Sequence, residues 1–303
     1  MESALNQKIT SLKAQKNAVI LAHYYAPDDV QAAADYVGDS FYLAKIAKDI
    51  KADVIVFCGV NFMGESAKIL NPEKTVLMPD LSADCPMAHM VKDGEIERLR
   101  AEYDDLAVVC YVNSVIGLKC KSDVCVTSSN AVKIVKALPN KNVFFIPDQN
   151  LGRYVKEQVP EKNVILNDGF CPRHKAMTEE QVLTAKNKYP TALVLAHPEC
   201  TESVLKHADY IGSTAGIIDF AKKSDCKDFI ICTEEGVSYQ LKKDNPNKNF
   251  YFVTPTPICA DMKKNTLEGI IRVLETGENE VLISEEERKK ALIPLDKMLL
   301  LGK

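Results

Sequence analysis

Three cysteines in loops share one spacing. Cys85, Cys171 and Cys259 lie 86 and 88 residues apart. They sit in Ala83-Asp84-Cys85-Pro86-Met87, Gly169-Phe170-Cys171-Pro172-Arg173-His174 and Pro255-Thr256-Pro257-Ile258-Cys259-Ala260. These stretches read as loops rich in Pro and Gly. Cys58, Cys110 and Cys232 instead close apolar strands, and Cys120, Cys125, Cys200 and Cys226 do not recur at equivalent positions. One loop thiolate per equivalent unit, brought to a common axis, suits a [4Fe–4S] cubane whose fourth iron is open. An open iron is a Lewis acid for a substrate. A three-cysteine zinc site is the alternative, although structural zinc favours local pairs and no tight Cys-x-x-Cys pair occurs.

Other landmarks follow the same period. Ala22-His23-Tyr24-Tyr25, Cys110-Tyr111-Val112-Asn113 and Ala196-His197-Pro198-Glu199 each follow an apolar run, with Tyr111 88 residues after His23 and His197 86 after Tyr111. Twelve residues beyond each stands an aspartate, Asp35, Asp123 or Asp209, which we read as a turn residue before a strand. Seventeen beyond stands a hydroxyl, Ser40, Ser128 or Thr214, just ahead of an amphipathic helix. A hydroxyl there either caps the helix or joins its amides in holding an anion. Taken alone, Glu199 reads as a solvated loop carboxylate, whereas beside a substrate held by His197 it is the best candidate general base; Tyr25 reads equally as a packed aromatic or as a group that orients oxygen. His89 and His207 match nothing and are expected at the surface or in packing.

The elements that must position these residues are legible. Strand candidates are Ala18–Leu21, Val54–Phe57, Thr75–Met78, Ala107–Tyr111, Asn142–Ile146, Asn163–Leu166, Ala192–Leu195, Phe229–Cys232 and Asn249–Val253, with helices such as Phe41–Lys51, Asn130–Leu138 and Ile217–Lys223 between them. Such alternation implies parallel α/β sheets, and unbroken apolar strands imply sheets covered on both faces. A period of roughly 87 exceeds the ~20–50 residues of solenoid repeats. We therefore expect an α/β fold of three pseudo-equivalent α/β/α domains with small parallel sheets around a pseudo-threefold axis, cluster and active site at the centre. The domains would be 1–104 with an N-terminal helix, 105–189, and 190–303 with C-terminal helices.

Composition excludes several classes. The chain has 303 residues, 46% hydrophobic, enough for large cores. Net charge is -4 without a basic block, which disfavours a nucleic-acid surface. Six of the 38 cations are Arg, so guanidinium clamps on an anionic substrate would be scarce. Met1 to Lys16 is polar and lacks the apolar core of a signal peptide. No apolar run approaches the ~20 residues needed to span a bilayer. A cytoplasmic protein without membrane partners is expected, and its ten cysteines should not form a disulfide framework.

In combination, these motifs resemble quinolinate synthase nearly end to end: Ala22-His23-Tyr24-Tyr25, Gly38-Asp39-Ser40, Cys85-Pro86-Met87-Ala88, Tyr111-Val112-Asn113-Ser114, Cys171-Pro172-Arg173-His174, His197-Pro198-Glu199-Cys200, Gly212-Ser213-Thr214 and Met262-Lys263-Lys264-Asn265. That resemblance implies condensation of iminoaspartate with dihydroxyacetone phosphate to quinolinate, with loss of phosphate and two waters, in NAD biosynthesis. It implies a [4Fe–4S] cluster on Cys85, Cys171 and Cys259. It also implies that His23, Ser40, Tyr111, Asn113, Ser128, His197 and Thr214 hold the iminoaspartate carboxylates, with Tyr25, His174 and Glu199 around the condensing triose. The enzyme that supplies iminoaspartate is an implied partner. The family usually has Asn where this chain has Tyr24. Some members carry two further cysteines after the third ligand, where this chain has Ala260-Asp261-Met262. The competing readings are an aconitase-type Fe–S hydro-lyase acting on a small carboxylic acid and a non-catalytic Fe–S or zinc sensor.

Overall fold

The protein's structure, a computed structural model, describes residues 2–302. Twelve strands form three four-stranded sheets. The first holds β1 (Ala18–His23), β2 (Tyr36–Gly38), β3 (Val54–Cys58) and β4 (Thr75–Leu77). The second holds β5 (Ala107–Tyr111), β6 (Val124–Val126), β7 (Asn142–Ile146) and β8 (Asn163–Leu166). The third holds β9 (Leu193–Ala196), β10 (Tyr210–Ile211), β11 (Asp228–Cys232) and β12 (Asn249–Phe252). Their spatial orders are β2-β1-β3-β4, β6-β5-β7-β8 and β10-β9-β11-β12. Every pairing within the sheets is parallel. The fold is the expected α/β architecture of three pseudo-equivalent units.

The strands form where β-branched and aromatic side chains run unbroken. All five residues of β5 are buried, as are Val143 to Ile146 of β7. Parallel sheets sandwiched between helices leave no polar face, which is why these strands do not alternate. Each fully buried Val, Ile or Phe contributes ~1.5–3 kcal/mol of transfer free energy.

The aspartate row explains the shortest strands. Asp35, Asp123 and Asp209 accept the backbone N–H of Ile20, Val108 and Val194 at 2.8, 2.7 and 2.8 Å. Their own N–H groups donate to the carbonyls of those same residues. One aspartate per unit thus pins the returning chain to the first strand of its sheet, as expected of a turn residue before a strand.

The last two long helices leave the third sheet. Helix Leu267–Thr276 buries Leu267, Ile270, Ile271 and Leu274 with Ile20, Val56 and Leu77 of the first sheet. Helix Glu285–Leu301 buries Leu295, Met298 and Leu299 in a core shared with Val124 and Val126. The C-terminal segment therefore ties the first and second units together. No helix of the described residues is long and apolar enough to cross a membrane.

Candidate active site

In a sheet ordered 2-1-3-4 the strand direction of travel switches beside the first strand, and the carboxyl ends there open a crevice. His23 ends β1, Tyr111 ends β5, and His197 directly follows β9. The three loops face one cavity. It is lined by His23, Tyr25, Ser40, Cys85, Tyr111, Asn113, Ser128, Cys171, His174, His197, Glu199, Thr214 and Cys259. Every candidate ligand, substrate-binding and catalytic residue of the sequence analysis thus lines one cavity.

The three loop cysteines are held alike. The Cys85 N–H donates to Asp84 Oδ1 at 2.7 Å, that of Cys171 to Asp148 Oδ2 at 2.9 Å, and that of Cys259 to Glu234 Oε1 at 3.0 Å. All ten cysteines are free thiols. Burial pushes the Cys85, Cys171 and Cys259 thiols up, and Cys259 opposes ionisation of Cys85 as Cys85 does that of Cys171. Buried thiols held protonated are what a binding metal displaces protons from. The donor set, one thiol from each unit and no local pair, fits a cluster held by three cysteines. The ligand atoms of Cys171, His174 and Glu199 also lie within 4.8 Å of one another. A single ion there would leave Cys85 and Cys259 without a role.

Two histidines are built as twins. His23 Nδ1 accepts the N–H of Tyr25 at 3.1 Å, and His197 Nδ1 accepts that of Glu199 at 3.3 Å. An Nδ1 that accepts leaves the proton on Nε2 of a neutral ring. Burial holds both rings neutral, with pKa values lowered to about 3. Each therefore presents an Nε2–H donor, and that of His197 reaches Ser128 Oγ at 3.1 Å. Glu199 is buried, and burial opposes its charge. The adjacent His174, then His197, overcome this and hold the carboxyl well below the usual carboxylate range. His174 Nδ1 lies 2.7 Å from Glu199 Oε2. Among the described residues Glu199 Oε1 and Asn113 Oδ1 are buried with no hydrogen-bond partner. Both side chains line the cavity, where a ligand group can supply a donor. Burial keeps the Tyr25 and Tyr111 phenols protonated.

The hydroxyls are not caps. Asp39 caps the helix begun by Ser40, accepting from Tyr42 N at 2.9 Å. Ser213 caps the helix begun by Thr214, accepting from Gly216 N at 3.1 Å. Ser128 lies two residues before Asn130, which immediately precedes its helix. In the first and third units the capping duty falls one residue earlier than the spacing suggested, and in the third this frees Thr214 Oγ1 to meet the Tyr25 hydroxyl at 2.7 Å.

Several residues escaped the sequence reading. Thr233 Oγ1 bonds the Tyr25 hydroxyl at 2.7 Å and His174 Nε2 at 2.9 Å. Lys263 Nζ bonds the Tyr25 carbonyl at 3.0 Å and pairs with Glu234 at 3.2 Å. Asp148 and Glu234 are 86 residues apart, so the same period carried a signal, but in only two of the three units. Tyr24, the departure from the family pattern, packs against the third unit's core instead of lining the cavity. His89 pairs with Asp84 at the cavity's edge without itself lining the cavity, and His207 pairs with Glu179 away from the site.

Comparison with known proteins agrees with this geometry. The family model described as quinolinate synthetase A protein matches residues 7–300. A quinolinate synthase of Fusobacterium nucleatum is 54% identical over 295 residues, covering 97% of this chain and 98% of that protein. Those of Clostridioides difficile and Caldicellulosiruptor saccharolyticus are 51% and 52% identical, covering 96% of this chain and 96% and 97% of theirs. Three like units, three loop cysteines and a cavity lined by the motif residues thus coincide with full-length similarity, and the chain belongs to the quinolinate synthase family.

Proposed function

We propose that this chain condenses iminoaspartate with dihydroxyacetone phosphate to give quinolinate, phosphate and two waters, in the cytoplasm and in service of NAD biosynthesis. The observation that carries this reading is the meeting of three loop cysteines from three units in one cavity with two neutral histidines and the ionised Glu199. Cys85, Cys171 and Cys259 would hold a [4Fe–4S] cluster. Such a group, with one iron left open, supplies Lewis acidity toward a carboxylate, an imine nitrogen or a leaving hydroxyl.

The chain's own residues do the rest. Nε2–H groups of His23 and His197 and the hydroxyls of Ser40, Tyr111, Ser128 and Thr214 bind the dicarboxylate, with Asn113 orienting its nitrogen. Neutral donors suffice where guanidinium groups are scarce, because an anion bound by several buried N–H and O–H groups is well solvated. Glu199 Oε1 lacks a partner and accepts the proton released after the new carbon–carbon bond forms. A dianionic substrate raises the proton affinity of this carboxylate, which brings a base held ionised closer to its working range. Tyr25 and His174 stand on the triose side.

The spans 1–104, 105–189 and 190–303 serve as three domains in this reading, and the enzyme that makes iminoaspartate is its natural partner. The test is anaerobic loading with iron and sulfide, followed by assay with and without the triose phosphate. Product formation and phosphate release that require both substrates support the reading. A dehydration that proceeds without triose phosphate would mark an aconitase-type hydro-lyase, and zinc without sulfide would mark a sensor.

A further inference from the structure

Lys119 is fully buried, although neither the motifs nor the proposed function uses it. It closes the short helix Ile116–Lys119, just after the Tyr111–Ser114 turn at the end of β5. Its Nζ donates to the Ser114 carbonyl at 2.7 Å. The same Nζ lies 3.5 Å from the Phe62 carbonyl and 3.6 Å from Glu65 Oε2, both on the helix Asn61–Leu70 of the first unit. An ammonium has three donors and no acceptor, so these three acceptors match it. A buried charge is costly unless it is paired and hydrogen-bonded in this way, and an aliphatic side chain would fill the space without that cost.

The repeat shows what the lysine is for. Gln31 precedes Lys119 by 88 residues, and Leu205 follows it by 86. Each is the fourth residue of a short helix that follows a site turn: Asp28–Ala33, Ile116–Lys119 and Glu202–Leu205. Gln31 is also buried, and its Nε2 reaches the carbonyls of Ala26 at 2.8 Å and Gly236 at 3.0 Å. By the same spacing Ala26 is the counterpart of Ser114, and Gly236 is the counterpart of Phe62. At two of the three boundaries, one side-chain donor thus ties the end of a site turn to the neighbouring unit. At the third boundary Leu205 has no donor to offer, and it lines a cleft with Asn150, the counterpart of Phe62 and Gly236.

The turn that Lys119 ties carries two residues of the cavity wall, Tyr111 and Asn113. Ser114 closes it. Its N–H donates to the Val112 carbonyl at 2.8 Å, its hydroxyl donates to the Tyr111 carbonyl at 2.9 Å, and its carbonyl accepts from Lys119. Only the last of these reaches outside the turn. Asn113 Oδ1 has no hydrogen-bond partner among the described residues, so the backbone of the turn sets where that acceptor points.

We propose that Lys119 is a positioning residue that pins the Tyr111–Ser114 turn to the first unit and so fixes Asn113 for the dicarboxylate. The inference rests on the proposed contact of Asn113 with the substrate.

The test uses the reconstituted enzyme with Lys119→Met, which keeps the unbranched stem and removes the donors, and Lys119→Gln, which supplies the donor that Gln31 uses at the equivalent place. Bound iron and KM for each substrate are measured for both, for Asn113→Ala, and for Asn113→Ala combined with Lys119→Met. Lys119→Met should hold as much iron as wild type and raise KM for iminoaspartate about tenfold, with KM for the triose phosphate within threefold. Lys119→Gln should bring KM for iminoaspartate back to within threefold of wild type. The double variant should match Asn113→Ala within threefold, because Lys119 acts through Asn113, whereas a merely structural role would multiply the two effects. If Lys119→Met does not yield folded chain, Lys119→Leu, the residue of the third unit, takes its place, and failure of both to fold overturns the inference. Multiplied effects, an unchanged KM for iminoaspartate in Lys119→Met, or a Gln variant no better than Met also overturn it. An iron-loaded wild-type enzyme that forms no quinolinate would instead overturn the proposed function.

Discussion

His174 Nδ1 and the Glu199 carboxylate meet at 2.7 Å although one follows the last strand of the second sheet and the other the first strand of the third. Neither position is close to the other in the chain, and both are buried. The pair exists only because the loops of two equivalent units converge. It keeps Glu199 ionised against the cost of burial, and it aligns His174 between a carboxylate and Thr233.

Glu199→Gln keeps shape and hydrogen bonding but cannot take a proton. The variant should hold a full complement of iron and bind the dicarboxylate near-normally. Its turnover should fall by about 10² or more, the usual worth of general-base help. Turnover within about threefold of wild type, measured on chain of equal iron content, would move the base to Tyr25 or His174.

The hydroxyls and the caps separate cleanly. Ser213 caps its helix and Thr214 faces Tyr25. Ser213→Ala should therefore cost ~0.5–2 kcal/mol in urea unfolding. Thr214→Ala and Ser128→Ala should weaken substrate affinity with much smaller losses of stability. Equal destabilisation by Thr214→Ala with unchanged affinity would return that hydroxyl to a structural role.

Much of this arrangement was legible in the sequence because the repeat made weak signals agree. A lone Cys85 or His23 says little, but three loop cysteines and the His23, Tyr111 and His197 row at one period announced the architecture and the cavity lining. Nine strands were readable from unbroken apolar runs. β2, β6 and β10 are only two or three residues long, too short for any periodicity, and were announced solely by Asp35, Asp123 and Asp209. Thr233 gave no signal because its work is to hold residues distant in the chain, and Asp148 and Glu234 recur in only two of the three units, too few for the repeat to point to them. The packing of Leu267–Thr276 on the first unit was equally hidden, since an amphipathic face does not name the surface that will cover it.

Stability should depend on pH through the buried histidines. His197 has a pKa of about 3 in the folded chain against the ordinary 6.5. Above pH 6.5 neither state is protonated there, and nothing is lost. Between 6.5 and 3 the unfolded chain binds a proton that the folded chain does not, so stability falls as the pH falls, by up to about 1.4 kcal/mol per unit. Urea midpoints at pH 7.5 and 5.5 should therefore drop about 1 kcal/mol more in wild type than in His197→Gln. Parallel behaviour of the two would mean that His197 is not held neutral.

Individual Cys→Ser replacements test the ligand set. Loss of Cys85, Cys171 or Cys259 should abolish stable iron binding, whereas Cys120→Ser and Cys125→Ser should retain it. A requirement for Cys120 or Cys125, with one of the three loop cysteines dispensable, would refute the assignment.

The central claim is that three equivalent units bring three thiols and one general base to a single reaction. Quinolinate formation by anaerobically reconstituted wild-type chain, given iminoaspartate and dihydroxyacetone phosphate and measured beside Cys171→Ser treated identically, tests it most directly. The account predicts product from wild type only, dependent on both substrates. Product from Cys171→Ser at the wild-type rate, or none from an iron-loaded wild-type chain, would contradict it.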